Sequence, residues 1–155
     1  MTESWRTKVQ RWGFNLWPSY RGTGGRVRYI AADWQEVRVE IPRNLRTRNY
    51  MGTTFGGSIY GACDPIYAMM LIQALPDEYV VWDKAASIRF RRPGTEDLYA
   101  QFRLPDRELH SIQRTLETRD AVDREYEVDV VAADGTVHAT VEKTVHVSTD
   151  QAKRA

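Results

Sequence analysis

The sequence predicts an α+β domain in which a curved antiparallel sheet wraps around one long buried helix, with short additional helices. Several segments alternate apolar and polar residues, as strands with one solvated face do, and one stretch is apolar nearly all round. A sheet can cover such a helix by curling around it. The 155 residues contain no repeat or linker, so we expect a single domain over 1–155 with its core at about 24–147.

The N-terminal segment, at about residues 3–16, has the pattern of an amphipathic helix. Trp5, Val9, Trp12 and Leu16 follow helical spacing, and Pro18 stops the pattern. A second surface helix is predicted over residues 106–118.

Period-two alternation predicts six strands. They cover residues 26–31, 36–41, 79–92 and 98–104, then a strand around 126–130 and a last one around 137–147. We expect residues 98–104 to be the hairpin partner of 79–92. Asp134 and Gly135 predict a two-residue hairpin turn between the last two strands. The tail from Ser148 is predicted to fray.

The apolar stretch at residues 59–75 favours a helix because of its length and its Met, Leu and Ala content. Apolar residues lie nearly all round it, so we expect it to be buried on most sides. Asp64, Pro65 and Gln73 interrupt the stretch, so we expect no membrane span.

Composition and charge exclude several classes of function. A formal net charge of +1 gives no electrostatic reason to bind nucleic acid. The single cysteine, Cys63, allows no intrachain disulfide or cysteine-based metal site and fits a reducing compartment. The N-terminus lacks the apolar core of a signal peptide. We therefore expect a cytoplasmic protein with no metal and no nucleic-acid or membrane partner.

The segment 49–64 carries the candidate chemistry. Gly56 and Gly57 open the buried helix, where first-turn N–H groups have no intrahelical partner and the helix dipole adds partial positive charge. Such a site can stabilise an oxyanion. Asp64 lies two turns further on, where a carboxylate can act as a nucleophile or as a general base on water.

Both features also have structural explanations. A glycine pair before a helix is often just a tight entry. Pro65 removes a helix bond to the carbonyl of Gly61, so Asp64 could instead cap a half-helix from about 65 to 75. In either case a buried carboxylate needs a partner, a pocket or water.

The pattern Asn-x6-Gly-Gly-x6-Asp, followed by a strand ending in Phe-x-x-Pro, resembles the hotdog-fold thioesterases of the phenylacetate-degradation and acyl-CoA type. The sequence is more similar to a related group of bacterial hotdog proteins known only as a domain of unknown function. That likeness lies at residues 48–52 (Arg-Asn-Tyr-Met-Gly), 55–57 (Phe-Gly-Gly) and 81–86 (Val-Trp-Asp-Lys-Ala-Ala), within about 30–147.

The resemblance implies roles for named residues. Asn49 and the backbone N–H of Gly56 or Gly57 would hold a thioester carbonyl oxygen, and Asp64 would attack it or activate water. Asp83 stands where the family often has a water-positioning Ser or Thr. Phe55 stands where the family commonly has His. Both departures weigh against hydrolysis.

Lys84 is the predicted counterion of these acids. Counting back from Ile88 in steps of two gives Lys84 an inward position, which predicts an ion pair with Asp64 or Asp83. The alternative is that Lys84 reaches solvent at the start of its strand. A salt bridge would make Asp64 a weaker base.

Three further residues complete the candidate binding set. Arg89 and Arg91 could meet the phosphates of coenzyme A, or form a solvated outer face. Tyr60 could line an acyl tunnel, or belong to the core.

We therefore expect an acyl thioester hydrolase acting on an acyl-CoA or an acyl carrier protein, with no bound cofactor. The alternative is a noncatalytic acyl-binding or scaffold hotdog protein, favoured by Phe55, Asp83 and Lys84. An open sheet edge predicts pairing into a homodimer or homotetramer, and the resemblance implies a site between subunits.

Overall fold

Residues 2–149 are described by a computed structural model, and within them lie five α-helices and six β-strands. The helices are α1 (Trp5–Leu16), α2 (Pro18–Thr23), α3 (Gly56–Cys63), α4 (Ile66–Ala74) and α5 (Asp106–Leu116). The strands are β1 (Arg26–Ile30), β2 (Glu36–Ile41), β3 (Tyr79–Phe90), β4 (Leu98–Arg103), β5 (Ala121–Val131) and β6 (Val137–Thr149).

The six strands form one antiparallel sheet in the order β1-β2-β4-β5-β6-β3. Its apolar face packs on α3 and α4, so the predicted fold class is confirmed. Apolar residues alternate with polar ones along most of β2, β4 and β6, as the sequence pattern requires, although the polar residues Glu40, His138 and Thr140 are themselves buried.

The predicted pairing of residues 98–104 with 79–92 is wrong. β4 lies between β2 and β5, and β3 pairs with β6 at the sheet edge. The backbone N–H groups of Arg91 and Arg92 donate to the carbonyl of His138, and Gly94 accepts from Thr54, so the chain continues past β6 instead of turning back. Alternation predicts which face of a strand is buried, but it does not encode the neighbouring strand.

The central helix is buried as predicted, but it consists of two segments, α3 and α4. Asp64 and Pro65 interrupt it, because proline has no N–H to donate. Pro65 occupies the N-cap position of α4, and no side chain caps that helix. Asp64 is therefore not the cap of a half-helix, and that alternative is excluded.

The N-terminal helix is confirmed, and Ser4 and Thr7 close a reciprocal capping box at its start. Pro18 ends α1 and also begins α2, a short helix that the sequence did not predict. Tyr20 of α2 is buried and donates a hydrogen bond of 3.0 Å to the carbonyl of Ala62, which ties the N-terminal helices to α3.

The hairpin between β5 and β6 is confirmed, with three loop residues instead of two. Ala132 and Thr136 close the loop, and Gly135 takes the positive φ of 87° that the turn requires. Ser148 is buried within β6, so the predicted fraying does not begin there, and residues 150–155 lie outside the described part of the chain. No helix in residues 2–149 is long and apolar enough to cross a membrane.

Candidate active site

Asp64 lies at the break between α3 and α4, with its carboxylate held at one oxygen. Oδ1 accepts a hydrogen bond of 2.6 Å from Tyr60 Oη and another of 2.6 Å from Lys143 Nζ. Within residues 2–149 no protein group donates to Oδ2. The side chain is 42% exposed, so the second oxygen is open to a ligand or to water.

Lys143 is the counterion of this site, although it was not among the predicted site residues. It points inward from β6, and its side chain is only 1% exposed. Its Nζ also lies 3.1 Å from Asp83 Oδ1 and 5.7 Å from the ring centre of Tyr60. One buried cation therefore serves two carboxylates, and the cluster carries a net charge of −1.

The predicted pairing of Lys84 with Asp64 or Asp83 is wrong. A β-bulge between Asp83 and Ala85 inserts one extra residue into β3 and breaks the period of two. Asp83 consequently faces inward, whereas Lys84 is exposed and pairs with Asp123 at 2.5 Å. The counterion of Asp64 was detectable, because Lys143 occupies an inward position between Val141 and Val145.

Burial and charge act in opposite directions on the pKa values of the cluster. Burial lowers the pKa of Lys143, but hydrogen bonds and charges from Asp64 and Asp83 outweigh that effect and raise the pKa above its ordinary value. Burial raises the pKa of Asp83 despite the opposing effect of Lys143. Lys143 is therefore protonated and positively charged at neutral pH.

Cys63 lies next to Asp64 in sequence but takes no part in the chemistry. Burial raises the pKa of its thiol to about 12, and the charge of Asp64 adds to the shift. The group remains a neutral thiol at physiological pH, as expected for a small core residue.

A groove of about 600 Å³ opens beside Asp64. We call it the Asp64 groove. Its walls come from α1, α2, α3 and α4 together with the indole of Trp34, and they are mostly apolar. The lining residues are Gln10, Gly13, Phe14, Trp17, Ser19, Tyr20, Thr23, Trp34, Gly61, Asp64, Pro65, Met69 and Gln73. This volume lies within the range of small-molecule sites.

Gly56 and Gly57 form the first turn of α3, as predicted, and within residues 2–149 no backbone carbonyl accepts from their N–H groups. Both glycines lie under aromatic rings. A Cβ at Gly56 would lie 2.8 Å from the ring of Phe90, and one at Gly57 would lie 2.4 Å from the ring of Phe55. Close approach of these rings gives the glycine pair a structural explanation beside the functional one.

The glycine N–H groups and Asp64 lie at opposite ends of α3. Asp64 lies seven positions after Gly57, which corresponds to about 10 Å along the helix axis. Within one chain, these groups cannot contact the same carbonyl group at hydrogen-bond distance.

The side chain of Asn49 is engaged within its own loop. Its Oδ1 accepts from the N–H groups of Met51 and Thr53, and its Nδ2 donates to Thr53 Oγ1. Arg91 donates through Nε to Thr140 Oγ1 at 2.9 Å, whereas Arg89 has no side-chain partner within the described residues. These three residues are not part of the Asp64 cluster.

The chain matches the family model described as "Domain of unknown function (DUF4442)" over residues 6–147. A protein of unknown function from Pseudomonas aeruginosa, described as a probable thioesterase, superposes with a TM-score of 0.83 at 16% identity, covering 96% of this chain and 99% of that chain. No match was found among curated proteins.

Two other solved structures have the same fold. A thioesterase from Haemophilus influenzae matches with a TM-score of 0.67 at 13% identity, over 96% of this chain and 93% of that one. A protein of unknown function from Chlorobaculum tepidum matches with a TM-score of 0.73 at 13% identity, over 94% and 95% of the two chains. At these identities the likeness shows the fold.

The sheet and the central helix have the hotdog fold that these neighbours share. The chain belongs to the domain-of-unknown-function family DUF4442.

Proposed function

We propose that the protein hydrolyses an acyl thioester, with Asp64 as the nucleophile or as the general base on a water molecule. One observation carries the proposal. The free oxygen of a carboxylate opens onto an apolar groove large enough for an acyl chain, while its other oxygen is fixed by Tyr60 and Lys143. The fold neighbours described as thioesterases support the substrate class.

The acyl chain occupies the Asp64 groove, and the thioester carbonyl sits at its Asp64 end. The carrier is coenzyme A or an acyl carrier protein, and no bound cofactor or metal is required. Arg89 is a candidate contact for the carrier phosphates because its guanidinium group is exposed. The reaction belongs in the cytoplasm, where a lone buried thiol such as Cys63 stays reduced.

Oxyanion stabilisation comes from a second copy of the chain. Because Gly57 and Asp64 are about 10 Å apart along α3, the glycine N–H groups of one protomer act on the carbonyl attacked through Asp64 of the other. β3 supplies the interface, since it is a sheet edge of 12 residues whose side chains are largely exposed. Asn49 can donate to the same oxyanion only if its loop opens and frees its side chain.

The alternative is a noncatalytic acyl-binding protein, and two observations favour it. Lys143 donates to Oδ1 of Asp64, so this oxygen is occupied by the cation and is not free to act as a base. The rings of Phe55 and Phe90 lie over the glycines that would receive the oxyanion.

The decisive experiment measures turnover of short, long and aromatic acyl-CoA substrates by the wild type and by Asp64→Asn. We expect the substitution to lower kcat by about 10²- to 10⁴-fold, because it removes the group that activates or attacks. Asp123→Asn is the matched control, since this exposed acid pairs with Lys84 and His146 away from the groove.

Two results would contradict the proposal. Saturable acyl-CoA binding by the wild type without turnover of any substrate would indicate that the protein is a noncatalytic acyl-binding protein. Equal turnover by the wild type and Asp64→Asn would remove Asp64 from the mechanism.

A further inference from the structure

The apolar side of α1 faces solvent, and we call it the α1 stripe. It consists of Trp5, Val9, Trp12 and Leu16, with Trp17 directly after them. These side chains are 78%, 59%, 63%, 61% and 67% exposed, respectively. An apolar stripe of this kind on a surface helix normally packs against the core, so its exposure requires a partner.

The polar side of α1 is fixed to the rest of the protein. Thr7 is buried, and Gln10 accepts a hydrogen bond from Trp34 Nε1. The side chain of Asn15 both accepts from the N–H of Val27 and donates to its carbonyl, at 2.8 and 2.9 Å. The helix is therefore held with its apolar side outward.

A groove of about 400 Å³ borders the stripe and is lined by five arginines. We call it the basic groove, and its arginines are Arg11, Arg21, Arg26, Arg28 and Arg46. Trp12 and Leu16 of the α1 stripe line its other wall.

Only part of this positive charge is neutralised. Arg11 pairs with Glu3 and Arg28 with Glu40, but the guanidinium groups of Arg21 and Arg26 have no acidic partner within residues 2–149. Leu45, which lies in sequence between the lining residues Asn44 and Arg46, is also exposed.

The local positive charge indicates what kind of partner binds to this surface. Residues 2–30 contain six Lys or Arg residues and one acid, in a chain whose formal net charge is +1. A second copy of the chain would bring like charges together across the stripe. An anionic surface matches the arginines, and tryptophan side chains prefer the boundary between lipid headgroups and acyl chains.

We propose that α1 docks the protein on the surface of an anionic phospholipid bilayer. The α1 stripe enters the boundary region of the bilayer, and the basic groove receives lipid phosphates. The helix lies in the plane of the membrane, so the finding that no helix in residues 2–149 can span a membrane does not bear on it. This inference does not rest on the proposed hydrolysis.

The test is co-sedimentation of the full chain with vesicles of phosphatidylcholine alone and with vesicles that also contain phosphatidylglycerol. We expect binding to the anionic vesicles, which weakens as salt is raised. Trp5→Ser with Trp12→Ser should abolish it. Arg21→Glu with Arg26→Glu should lower the partition coefficient by at least about 25-fold, given about 1 kcal/mol for each lost cation.

Matched controls use the same chemistry elsewhere on the surface. Tyr99→Ser removes an exposed aromatic side chain from β4, and Arg107→Glu with Arg119→Glu reverses two exposed arginines at either end of α5. Both variants should bind as the wild type does.

Four results would overturn the proposal. They are failure of the wild type to bind anionic vesicles at low salt, full binding by the tryptophan double variant, and competition by inorganic phosphate at the concentration of lipid phosphorus. The fourth is a changed sedimentation mass of the tryptophan double variant without lipid, which would assign the α1 stripe to contact between copies.

Discussion

At the scale of single residues, Lys143 is the buried cation that two partly exposed acids share. Removal of its cation would leave Asp64 and Asp83 without compensation beside a buried aliphatic stem. Breaking a buried ion pair in this way is more costly than never having had one. The cluster is therefore a structural unit as well as a candidate active site.

We predict that Lys143→Met lowers the free energy of unfolding by about 3 kcal/mol, the lower end of the usual range because Asp64 is partly in water. Urea unfolding at neutral pH measures the change. Adding Asp64→Asn and Asp83→Asn to Lys143→Met should recover most of the loss. No recovery in the triple variant would mean that packing, and not charge, holds the cluster.

Comparison of the wild type with Lys143→Met at different pH values tests the raised pKa of Lys143. The folded pKa of Lys143 is raised, so its stabilising contribution is present below 10.5 and is lost as pH rises through the higher folded value. Between pH 8 and the alkaline limit of folding, the wild type should therefore lose more stability than Lys143→Met. Buried Tyr20 and Tyr126 also destabilise the fold at high pH, but they are common to both proteins. Parallel curves would contradict the raised pKa.

At the scale of elements, one carboxylate helps to dock α5, whose Ile112 and Leu116 are buried in the core. Glu108 accepts from Arg124 Nε and Nη2 at 2.7 and 2.5 Å and from Tyr126 Oη at 2.9 Å. Burial raises the pKa of Glu108, but these hydrogen bonds and charges outweigh it and leave the pKa lowered. The helix is thereby tied to β5 through a two-pronged ion pair.

We predict that Glu108→Gln lowers the free energy of unfolding by about 2 kcal/mol, as expected for lost hydrogen bonds to a charged group. The contribution of Glu108 is present above pH 4.5 and is lost as pH falls through its lowered folded pKa, so the deficit of the variant should shrink in acid. Glu117→Gln, at the exposed end of α5, is the control. A deficit that stays constant from pH 7 down to pH 3 would contradict this account.

The elements themselves were largely predictable from the sequence. Alternation located all six strands, and the run of Met, Leu and Ala located the central helix, including the interruption that Pro65 imposes. These are local signals, carried by the residues of each segment.

Non-local features were not predictable in the same way. The position of β4 in the sheet depends on which strands pair with it. The residues of β4 do not specify that these are β2 and β5. Asp83, and not Lys84, faces inward because of a β-bulge, and the periodicity of the sequence does not reveal that bulge. Residues of α2 form part of the groove beside Asp64. The sequence signal for α2 is Pro18, and the same proline also ends α1.

At the scale of the whole molecule, the proposed site is incomplete in one chain. The N–H groups of Gly56 and Gly57 and the carboxylate of Asp64 belong to the two ends of α3. A symmetric pair of chains joined along β3 would supply both ends to each site.

We predict a mass of at least twice that of the chain by analytical ultracentrifugation, and complementation between inactive variants. Gly57→Pro combined with Phe55→Ala removes an N–H in the first turn of α3 together with the ring that a Cβ at this position would meet, and Asp64→Asn removes the acid. Equal co-expression should restore about a quarter of wild-type turnover, because half the dimers are mixed and each carries one intact site. A fully active monomer, or no recovery in confirmed heterodimers, would contradict a shared site.

One helix carries two different surfaces. Gln10, Gly13 and Phe14 of α1 form part of the wall beside Asp64, while Trp5, Val9 and Trp12 on the opposite side meet solvent. A bulky fusion placed ahead of Trp5 would therefore crowd the outer face and could distort the inner one. Recombinant protein intended for enzymatic or vesicle assays is better tagged at its C-terminal end.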